Sequence, residues 1–483
     1  MGILDNTEPR LVWKHFEEIS KIPRCSKHEE KIREYIIDFA KQRGLQYKTD
    51  DAGNIVVIKP SSSKNLNDKP VIVLQSHMDM VCEKNADVDH DFSKDPLKLK
   101  RDGDILSAQG TTLGADNGIG LSVSLAVLED DNIKNGPIEA LFTVDEETGL
   151  TGAFAIKPDF LKGRIMINLD SEDFGVLTVG CAGGGESRIE IPLKYKPAPR
   201  NITALNIKIT GLKGGHSGVN IKEQRGNAIK ILTRLLWRAS ENYEFYISDI
   251  HGGDKHNAIP REAFATVGVK NRDYNDFVSL LKKEMQDITE EIKPVDPDCS
   301  MIIEKTDKIK KIYDSNLQVK LLHLLHSLPH GVIKMSYDIP GLVETSTNLA
   351  VVTPKDKSIM ILMSSRSAVK SELNDTRDRI KAIAKLAKVK ITEDKPYPGW
   401  KPDMNSKLLA LCRKVYKEMF NEDAKVEAVH AGLECGIIGE KFPGMDMISV
   451  GPTIKHLHSP NEQVSISSVQ RFYRYVVRII ESI

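Results

Sequence analysis

Three short apolar runs in this chain each lead into a cluster of polar residues, and that repeated design constrains the fold more than any other feature. Residues 71–74 lead to His77 in "VIVLQSHMDM", residues 141–144 to Glu146 and Glu147 in "ALFTVDEETGL", and residues 165–169 to Asp170 in "RIMINLDSED". Apolar, β-branched runs of this length predict buried strands of a parallel sheet. Open α/β sheets hold ligands in the crevice beyond the carboxyl ends of such strands, so the three clusters are expected to meet. Asp116, in "GTTLGADNGIG", stands just before a predicted helix whose first turn offers N–H groups and a positive dipole end to an anionic ligand set. His458, in "KHLHSPNE", falls in a stretch read as a loop. Imidazoles and carboxylates together suit zinc, cobalt or manganese rather than a thiolate-preferring metal. These residues offer more ligands than one ion needs, and two ions sharing a bridging carboxylate is the economical reading. Of the adjacent Glu146 and Glu147, one is expected to ligate while its neighbour serves as general base. Asp79, two residues beyond His77, is placed to orient that imidazole.

Bulk properties narrow the class. A chain of 483 residues is expected to form two domains. Its 68 basic and 68 acidic residues cancel, which argues against nucleic acid or an acidic membrane surface as partner. No apolar run approaches the roughly 18–20 residues that span a bilayer. The start "MGILDNTEPR" has neither the basic region nor the apolar core of a signal peptide, and Asn6 stands where a myristoylation signal needs Ser or Thr. Six cysteines (25, 82, 181, 299, 412 and 435) are scattered without CxxC pairs and are expected to be reduced thiols. The expectation is a cytoplasmic enzyme.

Along the chain, Ser26 and Glu29 predict a capping box for a helix with Ile32, Tyr35, Ile36 and Phe39 on its apolar face. That role accounts for the surroundings of Cys25 and His28 without a metal. From about residue 187 the texture changes to the period-2 alternation of an antiparallel sheet, as in "ALNIKITGLKGG". Helices are predicted at about 223–241, 274–293 and 370–387, with strands at "CSMIIEKT" and "SIMILMSSR" and a further helix at about 405–419. Because His458 completes a site begun in the first third, residues 187–397 are expected to be an inserted α+β lid domain. The catalytic domain, α/β with a mixed, mainly parallel sheet flanked by helices, would then comprise 1–186 and 398–483.

The ordered pattern SHMDMV, GADNGIG, DEETGLTG, LDSED, GGHSGVN and HSP resembles the M20 (clan MH) metallopeptidases. Within that group, "SHMDMVCEK", "INLDSED" and "HNAIPRE" resemble the aminoacyl-histidine dipeptidases, over essentially the whole chain. The resemblance implies two Zn²⁺ per subunit, with Co²⁺ or Mn²⁺ as substitutes. Asp116 would bridge them, His77 and Asp170 would complete one ion, and Glu147 and His458 the other. Glu146 would be the general base and Asp79 the support of His77. The implied reaction is hydrolysis of unblocked dipeptides by a water activated between the ions. His216, in "KGGHSGVN", would donate to the oxyanion from the inserted domain, which implies closure over the substrate. In several relatives this histidine reaches the site of a dimer partner, so a homodimer through the lid is raised, with action in cis and in trans both open.

Substrate anchors follow the same likeness. Arg366, in "MSSRS", would grip the terminal carboxylate, and Asn257 would bond the same region. Glu434, in "HAGLECG", reads equally as the acceptor of a free α-ammonium group and as part of a structural turn. The alternatives are an N-acyl-amino-acid deacylase of the same superfamily and a metal-stabilised binding protein without catalysis. Glu146, an unligated carboxylate beside a ligand, argues against the second.

Overall fold

The computed structural model describes residues 3–483. The chain divides into two compact units: unit 1 comprises residues 1–180, 402–428 and 433–483, and unit 2 comprises 181–401 and 429–432. The sequence boundaries at 187 and 397 thus differ from this division by a few residues. The short return of 429–432 to unit 2 has a local cause, since Ala182 N donates to the carbonyls of Val429 and Ala431.

Unit 1 is built on an eight-stranded mixed sheet in the order Gln46–Thr49, Ile55–Lys59, Ile138–Thr143, Ile72–His77, Ile165–Asn168, Asp446–Ser449, Val176–Cys181, Lys425–Val429. The third to sixth of these run parallel, and antiparallel pairs flank them. Ile72–His77 and Ile138–Thr143 are buried at every residue, as central strands covered on both faces must be. Helix Ala115–Glu129 packs against Ile72–His77 and helix Arg10–Ile19 and is buried nearly all round, which accounts for its apolar make-up on every side. The C-terminal helix Ile466–Ser482 buries Val469, Phe472, Val476 and Ile479, a stripe at helical spacing. Each such side chain contributes roughly 1.5–3 kcal/mol by leaving water.

Unit 2 is an antiparallel nine-stranded sheet. One face carries Leu205, Ile207 and Ile209, then Ala263, Ala265 and Val267, then Ile359, Ile361 and Met363. This two-residue period matches the alternation in the sequence. Helices Ala228–Ser240, Tyr274–Ile292, Ser315–Ser327 and Lys370–Leu386 cover that face and share its core. The first of these begins later than the sequence pattern indicates. Gln224 adopts a left-handed φ of 54°, and the Asn227 side chain then caps the helix by accepting from Ile229 N and Lys230 N.

Two sequence expectations are overturned in unit 1. The capping box does not form: helix Glu30–Gln42 has no side-chain cap. Ser26 Oγ instead donates to Asp79 Oδ2 at 2.8 Å, and Glu29 Oε1 accepts from Lys27 N and Asp145 N. The helix begins only at Glu30 with Glu29 at its N-cap position, so Ser26 stands too early in the chain to cap it. The cysteines are not all thiols either. Cys25 and Cys82 form a disulfide with their Cα atoms 5.7 Å apart, because the segment before the helix runs beside Met80 as a parallel bridge. Spacing along the chain gave no sign of that meeting.

Candidate metal centre and active site

The three predicted strand ends meet in unit 1. His77 is the last residue of its strand and 1% exposed. Its Nε2 lies 3.1 Å from Asp116 Oδ1 and 3.4 Å from Asp170 Oδ1, and its Nδ1 lies 3.2 Å from Asp79 Oδ1. His458 Nε2 lies 3.3 Å from the other oxygen of Asp116 and 3.0 Å from Glu147 Oε2. The two oxygens of Asp116 therefore face two different sets, His77–Asp170 and Glu147–His458. In each set the three potential ligand atoms lie within 4.8 Å of one another. A further grouping of His77, Glu146 and Glu147 overlaps the first two.

Local sequence explains each placement. Asp116 and Asn117 depart from helical φ/ψ at the start of Ala115–Glu129, which frees the Asp116 side chain from the helix surface. Asn117 Nδ2 donates to Leu169 O at 2.7 Å and to Asp170 Oδ1 at 2.5 Å, tying the two ligand segments together. Asp145 adopts a left-handed φ of 50° and accepts from the hydroxyls of Thr148 and Thr151, winding the short turn that presents Glu146 and Glu147. Asp79 accepts from both of their amides, Glu146 N to Oδ1 at 3.0 Å and Glu147 N to Oδ2 at 3.2 Å. One carboxylate thus orients the His77 imidazole and the Glu146–Glu147 turn together.

The electrostatics call for positive charge. Burial opposes a charged His77, yet Asp170, Asp116 and Asp79 hold its pKa well above the ordinary value. Hydrogen bonds and charge from Asp116 and Glu147 push His458 up to about 11. Burial, with Asp116 and Glu147 nearby, raises Asp170 to about 6 despite His77. Burial raises Glu146 well above the carboxylate range, with Asp170, Glu434 and Glu147 adding to it. The carboxylates around both histidines thus favour positive charge at this point. Glu147 Oε1, buried and without a hydrogen-bond partner among the described residues, is a spare donor of the same kind. The residues present fit divalent metal: oxygen and imidazole nitrogen donors, convergent and short of positive charge.

Unit 2 holds the remaining predicted residues. His216 lies in a two-residue strand, Gly215–His216, paired with Ala258–Ile259, and Asn257 O accepts from Ser217 N at 2.8 Å beside it. His216 Nδ1 accepts from Gly218 N and Val219 N, so the neutral ring carries its proton on Nε2. Burial, with the charges of Arg366 and His256, lowers its pKa to about 4. Arg366 is 7% exposed and donates to Tyr397 Oη at 2.9 Å. Ser346, its register partner, lies 2.7 Å from His430 Nε2. A Cβ on Gly218 would collide with His430 O, so the loop bearing His216 closes on His430 only with glycine there. Glu434, predicted as an ammonium acceptor, belongs to unit 1 and is fully buried. Its Oε2 accepts from Gln75 at 2.6 Å and from the Thr143 hydroxyl at 2.7 Å, and burial raises its pKa to about 7.

Comparison with known proteins agrees with this geometry. The profile of peptidase family M20/M25/M40 matches residues 73–482. The chain is a member of that family. Along its full length this M20 peptidase is 39% identical to the cytosol non-specific dipeptidase of Escherichia coli K12, covering 99% of that protein. Its structure superposes on the aminoacylhistidine dipeptidase of Vibrio alginolyticus with a TM-score of 0.94 and 38% identity, covering 100% of this chain and 98% of the other. The fold extends to the aminopeptidase PepT of Bacillus cereus, at a TM-score of 0.55 and 16% identity over 98% of each chain. The resemblance drawn from the motifs is borne out, and the M20 peptidase is a hydrolase.

Three residues of this M20 peptidase escaped the sequence reading. Glu462 and Arg24, each 2% exposed, bond the backbone of the Asp116 segment. His430 lies in the buried polar group of unit 2. Glu462 had a signal, an acidic residue four positions after His458 in the same loop. Arg24 and His430 had none, because their partners come from distant parts of the chain.

Proposed function

We propose that this M20 peptidase hydrolyses the peptide bond of unblocked dipeptides, Xaa-His among them, with two zinc ions in the unit 1 cluster. The observation that carries the reading is the shared carboxylate, Asp116, with one oxygen toward His77 and the other toward His458. His77 and Asp170 would hold one ion, Glu147 and His458 the other, and Asp116 both; cobalt or manganese suits the same donors. When bound, such a pair supplies Lewis acidity and lowers the pKa of water toward neutrality.

The chain's own residues do the rest. Glu146 belongs to neither set that shares Asp116. It accepts the proton of the attacking water and delivers it to the leaving amine. Asp79 keeps Glu146 in place through its amide and fixes the His77 ring through Nδ1. His216, neutral and with its proton on Nε2, is a donor suited to the developing oxyanion. Arg366 and Asn257 are assigned to the substrate carboxylate. Glu434 is assigned to the free amine, its Oε1 lacking a hydrogen-bond partner among the described residues. The dipeptide class is carried over from the two full-length relatives, and the cytosol from the name of the Escherichia coli protein. No helix among the described residues is long and apolar enough to cross a membrane. A homodimer through unit 2, with His216 serving its own or its partner's site, belongs to the same reading.

The test is hydrolysis of Ala-His beside N-acetyl-Ala-His by metal-stripped protein, with and without added Zn²⁺. Zinc-dependent cleavage of the free dipeptide alone is expected. Cleavage of the acetylated compound would make this a deacylase, and silence on both would overturn the catalytic reading.

A further inference from the structure

Beneath the cluster, the segment Leu113–Asp116 is gripped from two sides by oppositely charged buried residues. Glu462 Oε2 accepts from Leu113 N at 2.8 Å and Gly114 N at 2.9 Å, and its Oε1 accepts from Asp116 N at 3.2 Å. Arg24 takes the carbonyl side: Nη2 donates to Gly114 O at 2.5 Å, and Nη1 donates to Met78 O at 3.1 Å and Asp79 O at 2.8 Å. A Cβ at Gly114, where φ is +65°, would stand 2.5 Å from Arg24 Nη2, and one at Gly118 would stand 2.7 Å from it. The grip therefore requires glycine at both places. Neither charged residue belongs to the groups of potential ligands.

We infer that Arg24 and Glu462 are positioning residues that preset the Asp116 carboxylate between the two ligand sets before any metal arrives. Three ligand-bearing segments converge on this pair. Glu462 joins the His458 loop to the Asp116 segment, and Arg24 joins that segment to the His77–Asp79 strand end. Glutamate is suited to the first task because both of its oxygens accept, whereas an amide has only one acceptor oxygen. Arginine is suited to the second because Nη1 and Nη2, held in one rigid plane, serve the carbonyls of two separate segments, whereas lysine gathers its donors on a single nitrogen at the end of a flexible stem. Fixing a bridging ligand through its own backbone removes the cost of ordering it at the moment of binding. The inference rests on the metal reading of the cluster.

The experiment is titration of chelator-treated protein with Zn²⁺ and with Co²⁺, following stoichiometry, affinity and the Co²⁺ visible spectrum, in wild type, Glu462→Gln and Arg24→Lys. Wild type is expected to take two ions; if it does not, the metal reading itself falls. Each variant is expected to bind metal about 10–100-fold more weakly, with an altered Co²⁺ spectrum. At saturating metal, kcat is expected to fall while KM for Ala-His is unchanged. Variants that lose only thermal stability, with wild-type affinity and spectrum, would overturn the inference in favour of a structural role. Hydrogen exchange in metal-free wild type provides a test that needs no folded variant. The amides of Leu113, Gly114 and Asp116 are expected to be protected there; exchange at the rate of an exposed loop would overturn the proposal.

Discussion

In unit 1, four carboxylates and two imidazoles crowd the ends of parallel strands, whereas the buried polar group of unit 2 consists of Arg366, Tyr397, His430 and Ser346 beside the His216 loop. The first arrangement raises histidine pKa values and asks for a cation. The second lowers them, to about 4 for His216 and about 3 for His430, through burial and the charge of Arg366, and offers donors to an anion. The two units thus carry polar groups of opposite electrostatic demand. Such a division predicts that catalysis and metal binding can be separated by mutation.

The largest expected effect probes unit 1. Glu146→Gln should lower kcat about 10²–10⁴-fold, the usual contribution of a general base, while metal content by atomic absorption stays at the wild-type level. Turnover retained at the wild-type rate would remove Glu146 from the mechanism. In unit 2, His216→Ala should cost about 10²–10³-fold in kcat, as loss of one oxyanion donor does elsewhere. Metal affinity should not move. If it does, the contrast between the units is wrong.

Stability sharpens the same comparison. The Cys25–Cys82 disulfide joins residues 57 apart within unit 1, and a loop of that length contributes about 4 kcal/mol in the chain-entropy account. Cys25→Ser should lower the denaturant midpoint of unit 1 and leave unit 2 unchanged by segment-resolved hydrogen exchange. A shift in unit 2 instead would show that the units do not unfold separately.

Acid provides the smallest effect and the finest contrast. Burial lowers His330 to about 4 and His430 to about 3 in unit 2, and His15 to about 4 in unit 1. A histidine whose folded pKa lies below 6.5 leaves stability untouched above that pH, and costs stability as pH falls from 6.5 toward the folded value. For His15 the full cost is on the order of 3 kcal/mol. Unit 1 also contains Glu434, raised by burial to about 7. Its contribution is present below the ordinary glutamate pKa and is lost as pH rises through 7, which opposes the histidine effect. In metal-free protein, amides of unit 2 should therefore lose protection before those of unit 1 between pH 6.5 and 4. The reverse order would contradict these shifts.

The two units also differ in how much of them the sequence disclosed. His77, Glu146, Glu147 and Asp170 were legible because each follows an apolar strand and needs only the rule that parallel strand ends share a crevice. The helices at 274–293 and 370–387 were legible from apolar periodicity. Arg24 and His430 were not, since a buried charge or imidazole is intelligible only once its partners are known, and Glu462 showed only its nearness to His458 in the chain. The capping box at Ser26 misled for a related reason: the segment before the helix is tied to Asp79, 53 positions away, and local pattern cannot weigh a distant partner. The disulfide was hidden in the same way.

The most direct measurement of the central claim is a crystal structure of the zinc-loaded protein, with anomalous difference maps collected at the zinc edge. Two peaks flanking Asp116, one beside His77 and Asp170 and the other beside Glu147 and His458, are predicted. A single peak, or density away from the two oxygens of Asp116, would contradict the dinuclear centre and the mechanism built on it.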